Sequence, residues 1–364
     1  MKSKHQFLTG ALLVFLAMFF IFGTAQAQFY KGKTIKCIVP YSPGGGTDTF
    51  FRTLVPYWQK NVPGSPKMII QNMPGAGGMT AHNFVYETAK SDGMTVLTAP
   101  WLSMAQITKQ PGARVRYDEM ELIGGQTEPI VVYLSNKVVP GGVQSAADIA
   151  KAKIIKLGGL RSSSNKDIRN LLSLELLGVP FKYVSGFRGG TKANAAILRG
   201  ELDMFSVNFS QWVAMFKKTV EDEGVAKALW YQSGFDKAGN PITFDGPEKM
   251  GLIGFDKVYE QVRGRKPSGQ MWEAYKWFMA VSTTFGMSAW LPPNAPPEAV
   301  KALRTGWYKA EEDPEYIEAS IKRFGVKQIF VPVDLCENTV KKFVGNPDPK
   351  MVKFFQDFIE KYKQ

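Results

Sequence analysis

VPYSPGGGTDTFFR, residues 39–52, sets three consecutive glycines between an apolar run and a stretch with helical spacing. Upstream, TIKCIVP (34–40) is β-branched and stops at Pro40; downstream, Phe50, Phe51, Leu54, Val55 and Trp58 recur at helical intervals. The unit reads as strand, glycine loop, helix. A loop without side chains at that junction suits a phosphate cradle, a tight turn, or bare main chain for a ligand to lie against.

The unit recurs. KMIIQN (67–72) leads into MPGAGGMTAHNFVYETAK, and MTVLTAP (94–100) supplies a further strand. KIIKLGG (153–159), LRSSSNKD and IRNLLSLELLGV form a third copy; FKYVSG, FRGG, TKANAAILRG and the strand-like ELDMFSVNFS form a fourth. Strands alternating with helices of this length predict an α/β protein with largely parallel sheets, whose ligand crevice lies at the carboxyl ends of the strands. The glycine loops fall at that end in every copy. DEMELIGGQTEPIVVYLSN (118–136) is an extended stretch suited to crossing between two lobes, and 231–270, rich in Gly, Pro and Lys, reads as a surface excursion. Helices follow at about 268–280, after LPPNAPPEAVKALR and at the C-terminus, with FGMSAW as a strand between the first two.

The chain opens with Lys2 and Lys4, an apolar stretch from Phe7 to Phe22 and then Ala25-Gln26-Ala27, the order of a secretory signal peptide, so cleavage is expected near Ala27. An uncleaved membrane anchor is the alternative. Removing both lysines with the leader takes the formal charge from +13 to +11. The basic residues are scattered, which argues against nucleic acid and suits a small anion drawn in by a positive surface. Cys37 and Cys336 are the only cysteines, and an oxidising compartment permits either a bridge or two separate thiols. With His82 as the one histidine after the leader, and no C-x-x-C, no metal site is expected.

Neither G-x-x-x-x-G-K-[ST] nor G-x-G-x-x-G occurs, so neither ATP nor NAD is expected, and no other cofactor is implied. G-x-S-x-G is missing, and His82 sits in a helical stretch, which leaves a Ser-His hydrolase without its parts. Anion binding by main chain survives. The first turn of a helix carries unpaired N–H groups and the positive end of the peptide dipoles, and glycine lets a carboxylate approach them. At about 1.5–3 kcal/mol per charge-assisted bond, about four such bonds suffice for micromolar affinity after the cost of immobilising the ligand.

TIKCIVPYSPGGGTDTFFRTL, IIQNMPGAGGMTAHNFVYETAKSDGMTVLTA and FRGGTKANAAILRGELD resemble, in order and spacing, the periplasmic substrate-binding proteins of tripartite tricarboxylate transporters, the Bug family. The likeness runs from about residue 33 to 210 and resumes at FGMSAWLPPNAPPEAVKALR. It implies an α/β, two-lobed periplasmic binding protein (type II, Venus flytrap), each lobe a mostly parallel sheet flanked by helices. Lobe 1 would be discontinuous, 28–125 with 235–364; lobe 2 would be 126–234; the signal peptide is 1–27. It also implies a monomer in the periplasm, without catalysis of its own, that closes on a small organic carboxylate and hands it to membrane permease subunits.

The resemblance places one carboxylate between the loop Ser42–Asp48 and the loop Gly159–Asn165, partly through ordered water. Tyr41, Ser42, Gly44, Gly45, Thr47 and Asp48 are the candidates in the first loop, and Gly77 stands in the second glycine loop. Asp48 either caps the helix, orients the loop, or favours a ligand ammonium group. In the third copy, Arg161 and Asn165 replace the glycine and histidine usual in the family, while Ser162 and Ser163 keep the hydroxyls. Arg161 either pairs with a second ligand carboxylate or points to solvent. Gly189 belongs to the fourth loop. Trp101 and Ser103 follow one strand at the expected crevice side, as Asn208 and Phe209 follow another. Aromatics at Tyr41, Trp101 and Phe209 either pack in the core or, facing the cleft together, favour an aromatic or bulky acid; Arg161 would favour a dicarboxylic one. A periplasmic enzyme acting on a carboxylate and a ligand-binding sensor subunit are the rival functions.

Overall fold

The computed structural model describes residues 29–187, 189–236 and 240–363; the leader lies outside them. Two six-stranded sheets organise the chain. The first comprises β1 (Thr34–Val39), β2 (Lys67–Asn72), β3 (Thr95–Pro100), β4 (Glu121–Thr127), β11 (Met287–Leu291) and β12 (Ile329–Val331), in the order β12-β4-β11-β3-β1-β2. The second comprises β5 (Ile130–Ser135), β6 (Ile155–Gly158), β7 (Phe181–Val184), β8 (Met204–Asn208), β9 (Ala226–Gln232) and β10 (Ile253–Gly254), in the order β10-β9-β5-β8-β6-β7. Both are mixed: β1 runs parallel to β2 and β3, and β6 parallel to β7 and β8, whereas β12 opposes β4 and β5 opposes both β8 and β9.

Spatial proximity divides the chain into two compact units. One takes the described residues up to Ala99, with Glu119–Gly124 and Ala289–Tyr316; the other takes Pro100–Asp118, Gly125–Ser288 and the described residues from Ile317 onward. Among the described residues no helix is long and apolar enough to cross a membrane.

In the first unit, helix α1 (Gly46–Asn61) buries Phe50, Phe51, Leu54, Val55 and Trp58, the apolar stripe legible in the sequence. Trp58 donates from its indole N–H to the Leu303 carbonyl at 3.0 Å and meets Trp307 edge-on. A glycine interrupts the later helix Pro297–Glu312 at Gly306 because Val62 lies against it: a Cβ there would stand 2.5 Å from a Val62 methyl. Close approach of the two elements outweighs the roughly 1 kcal/mol of helix propensity that glycine gives up.

In the second unit, Val131 and Tyr133 of β5 and Phe205 and Val207 of β8 project onto one face, packed with Trp212 and Phe216. Helices α3 (Asn165–Leu177) and α4 (Gly190–Leu198) connect β6 to β7 and β7 to β8; α2 (Met79–Glu87) is their counterpart in the first unit. The stretch 231–270 departs from its reading as a surface excursion. β10 adds to the sheet beside β9, and α5 (Phe255–Arg263) buries Phe255, Val258 and Tyr259. Phe255 lies against Trp230, Trp272 and Tyr275, so this part of the segment joins the core. Its Gly and Pro flanks concealed a short strand and a helix that turns Phe255, Val258 and Tyr259 inward.

Cys37 and Cys336 are separate, buried thiols. Burial pushes Cys37 up to about 12 and raises Cys336 as well, with Asp334 and Glu337 adding to the latter.

Candidate functional site

In the first unit the parallel strands β1 and β2 end side by side, Val39 opposite Asn72, and the loops that follow them meet. Gly44 adopts φ +78°, a left-handed conformation natural to glycine, and turns its N–H onto Asp48 Oδ2 at 2.8 Å. The same oxygen accepts from Arg52 Nε at 2.8 Å. Oδ1 accepts from Asn72 Nδ2 at 2.8 Å, and that amide group also donates to the Tyr41 carbonyl at 2.8 Å. Asp48 is 1% exposed; burial alone would raise its carboxyl pKa, but the bonds from Arg52, Asn72 and Gly44 hold it below the usual carboxylate range. Both oxygens are engaged within the protein, and the bond from Gly44 ties back the loop.

That arrangement consumes the Gly44 amide and leaves others open. Among the described residues, the first-turn amides of Gly46, Thr47 and Asp48 reach no acceptor. Tyr41 lies on the second glycine loop, where a Cβ on Gly78 (φ +101°) would come within 3.2 Å of its hydroxyl. Gly77, the sequence candidate, also has positive φ, but Gly78 is the glycine that the ring requires bare.

The second unit repeats the device. Ser164 caps α3, its hydroxyl accepting from Asp167 N at 3.2 Å. Asp167, 1% exposed, accepts from the amides of Leu160 at 2.7 Å and Arg161 at 2.8 Å, and from the Tyr183 hydroxyl at 3.0 Å. Gly159 is bare because a Cβ would stand 2.5 Å from the Tyr183 ring and 2.8 Å from the Asp167 carboxyl carbon. The following loop is zipped to this one, Gly186 N donating to Leu160 O and Phe187 N to Gly159 O. Gln110 Nε2 donates to Ser163 O and Asn165 Nδ2 to Ser103 Oγ. Among the described residues the amides of Ser162, Ser163, Asn165 and Lys166 reach no acceptor. Gly189, φ +93°, stands ahead of α4, whose first turn carries no acid.

The electrostatics at α3 favour an anion. The Lys166 ammonium lies 3.9 Å from the centroid of the Phe205 ring, and Arg169 is 5% exposed. Burial lowers the pKa of Lys166 and brings Arg169 down to about 10; neither has a carboxylate within ion-pair distance among the described residues.

Two aromatic candidates are packing residues. Trp101 is 2% exposed and stacks on Phe285 with centroids 4.4 Å apart, so its ring is withdrawn into the interior of the second unit. Phe209 is buried with Trp212 and Phe216, and leaves no room for a Cβ on Gly246. Sequence periodicity cannot separate a ring at a strand end that faces a ligand from one that turns under the sheet. The residues of these loops that the sequence reading missed are Gly46, Asn72 and Asp167. One of them had a signal: Ser164-x-x-Asp167 repeats the capping-box spacing of Gly45-x-x-Asp48, an acid at the third helical position after a small-residue loop.

No protein-family model matches the chain. Protein BugT of Bordetella pertussis is 34% identical over 90 residues, which span 25% of this chain and 27% of that relative. Among solved structures, the periplasmic binding protein BugD aligns at a TM-score of 0.63 and 18% identity, covering 90% of this chain and 98% of BugD. The fold is that of a Bug-type periplasmic binding protein. MatC from Rhodopseudomonas palustris, solved with bound malate, shares the Bug-type fold at a TM-score of 0.61 and 17% identity over 90% of this chain and 99% of its own.

Proposed function

We propose that the chain is an exported solute receptor that captures a small organic carboxylate through main-chain amides and delivers it to the membrane permease of a tripartite tricarboxylate-type transporter, without chemical change. One observation carries the reading: in both units a buried aspartate at the third position of a helix ties back the preceding loop while the first-turn amides stay without acceptors. Such amides are suited to a carboxylate and have no feature that discriminates in favour of a neutral sugar. The half-buried Lys166 and the buried Arg169 add to the preference for an anion. Malate in MatC supports a ligand of similar size. The Ala25-Gln26-Ala27 sequence supports export with cleavage near Ala27, and the receptor is proposed to act as a monomer.

A thermal-shift panel of mono-, di- and tricarboxylates, aromatic acids, amino acids, sugars and metal ions on the mature protein tests the proposal. An acid held at 100 times its dissociation constant stabilises by about 2.7 kcal/mol. Shifts from sugars or metals alone, or conversion of a bound acid to product, would overturn it.

A further inference from the structure

The carboxyl edge of the second sheet carries a fixed polarity that narrows the class of acid. Glu128, between β4 and β5, lies beside the end of β8, because Ile130 pairs with Asn208 and Phe209 N donates to Pro129 O. Its Oε1 accepts from Asn208 Nδ2, and its Oε2 accepts from Ser210 N at 3.1 Å, with the Ser210 hydroxyl also donating to the carboxylate. Burial raises the Glu128 pKa and the bonds from Ser210 and Asn208 oppose that rise; in its ionised form the carboxylate only accepts. Turning the Asn208 amide over would set Oδ1 against the Glu128 oxygens, acceptor facing acceptor, so the amide orientation follows from chemistry and does not depend on telling nitrogen from oxygen. Asn208 is half-buried, and its Oδ1 receives no donor among the described residues.

We infer that Glu128 is a positioning residue that locks Asn208 with its carbonyl toward the ligand, and that the ligand is an acid bearing a hydrogen-bond donor, a hydroxyl or an ammonium group. This rests on the carboxylate-receptor reading. The negative charge of Glu128 repels a second carboxylate from this edge and strengthens Asn208 Oδ1 as an acceptor. The acid group thus belongs at the amides of the loops, and the donor belongs at β8, the neighbour of β6 in the sheet. An unsubstituted acid would bury Oδ1 unpaired, and sites built to bond a donor reject analogues that lack it.

The test is isothermal titration of matched acids on whichever skeleton the panel selects, for example succinate, malate and aspartate, or phenylpropionate, phenyllactate and phenylalanine. Within a set, the hydroxy or amino member should bind about ten- to a hundredfold more tightly than the unsubstituted acid. The hydroxy and amino arms separate the two donors. In Glu128→Gln the new amide can donate, Asn208 is free to turn over, and the preference should fall below about threefold. Asn208→Ala should remove it as well. General damage to the fold would weaken both members of a pair alike and leave their ratio unchanged. Equal affinities in the wild type, or a ratio that survives both substitutions, would overturn the inference while leaving the receptor reading in place. Binding of no acid at all would remove both.

Discussion

Asp48 receives three hydrogen bonds while almost wholly buried, and the loop holds its shape only as long as that carboxylate is charged. Replacing Asp48 with Asn keeps the volume but puts an NH2 where one of three donors points. The expected cost is about 2–3 kcal/mol, read as a lower urea midpoint at pH 7, together with weaker ligand binding. The folded-state pKa lies below the unfolded value of about 3.9, so the stabilisation by Asp48 is present above that value and lost as pH falls through the folded one. The gap between wild type and Asp48→Asn should therefore close in strong acid; a gap that persists there would contradict the assigned role.

At the scale of elements, strand–loop–helix units were legible because apolar periodicity and glycine positions are local properties. The consecutive strands β4 and β5, one in each sheet, were legible as a single long extended stretch. β10 and α5 were hidden because they are short and their flanks resemble a loop; what makes them core is the aromatic group Trp230, Trp272 and Tyr275, contributed from elsewhere in the chain. At the site, the glycines were readable, but which of them the fold requires was not, since that depends on tertiary neighbours. Gly44→Ala meets no atom within 4 Å and should cost only the left-handed backbone penalty of about 1–2 kcal/mol. Gly159→Ala drives a methyl into Tyr183 and Asp167 and should cost more than that, with a greater loss of ligand affinity. Thermal melts and titrations of the two variants side by side check the order; equal effects would mean that the loop relaxes freely.

For the molecule as a whole, acid tolerance depends on a residue that takes no part in the proposed binding. His82 is completely buried in α2, and burial lowers its pKa to about 3. The unfolded chain takes up the proton near pH 6.5 and the folded chain resists it, so the stability that neutral His82 gives is complete above about 6.5 and drains away as pH falls toward the folded value. Between pH 7 and pH 5 the loss is about 2 kcal/mol. His82→Phe should flatten that slope in denaturant titrations, whatever it does to the midpoint at neutral pH; an unaltered slope would assign the acid sensitivity elsewhere. The twin aspartate clasps have a kinetic meaning. Loops already braced by Asp48 and Asp167 spend no ordering entropy when an acid arrives, so encounter leads to capture at a speed governed by diffusion and the basic surface. For the proposed receptor, that readiness would raise the rate of capture and leave the strength of the final grip unchanged.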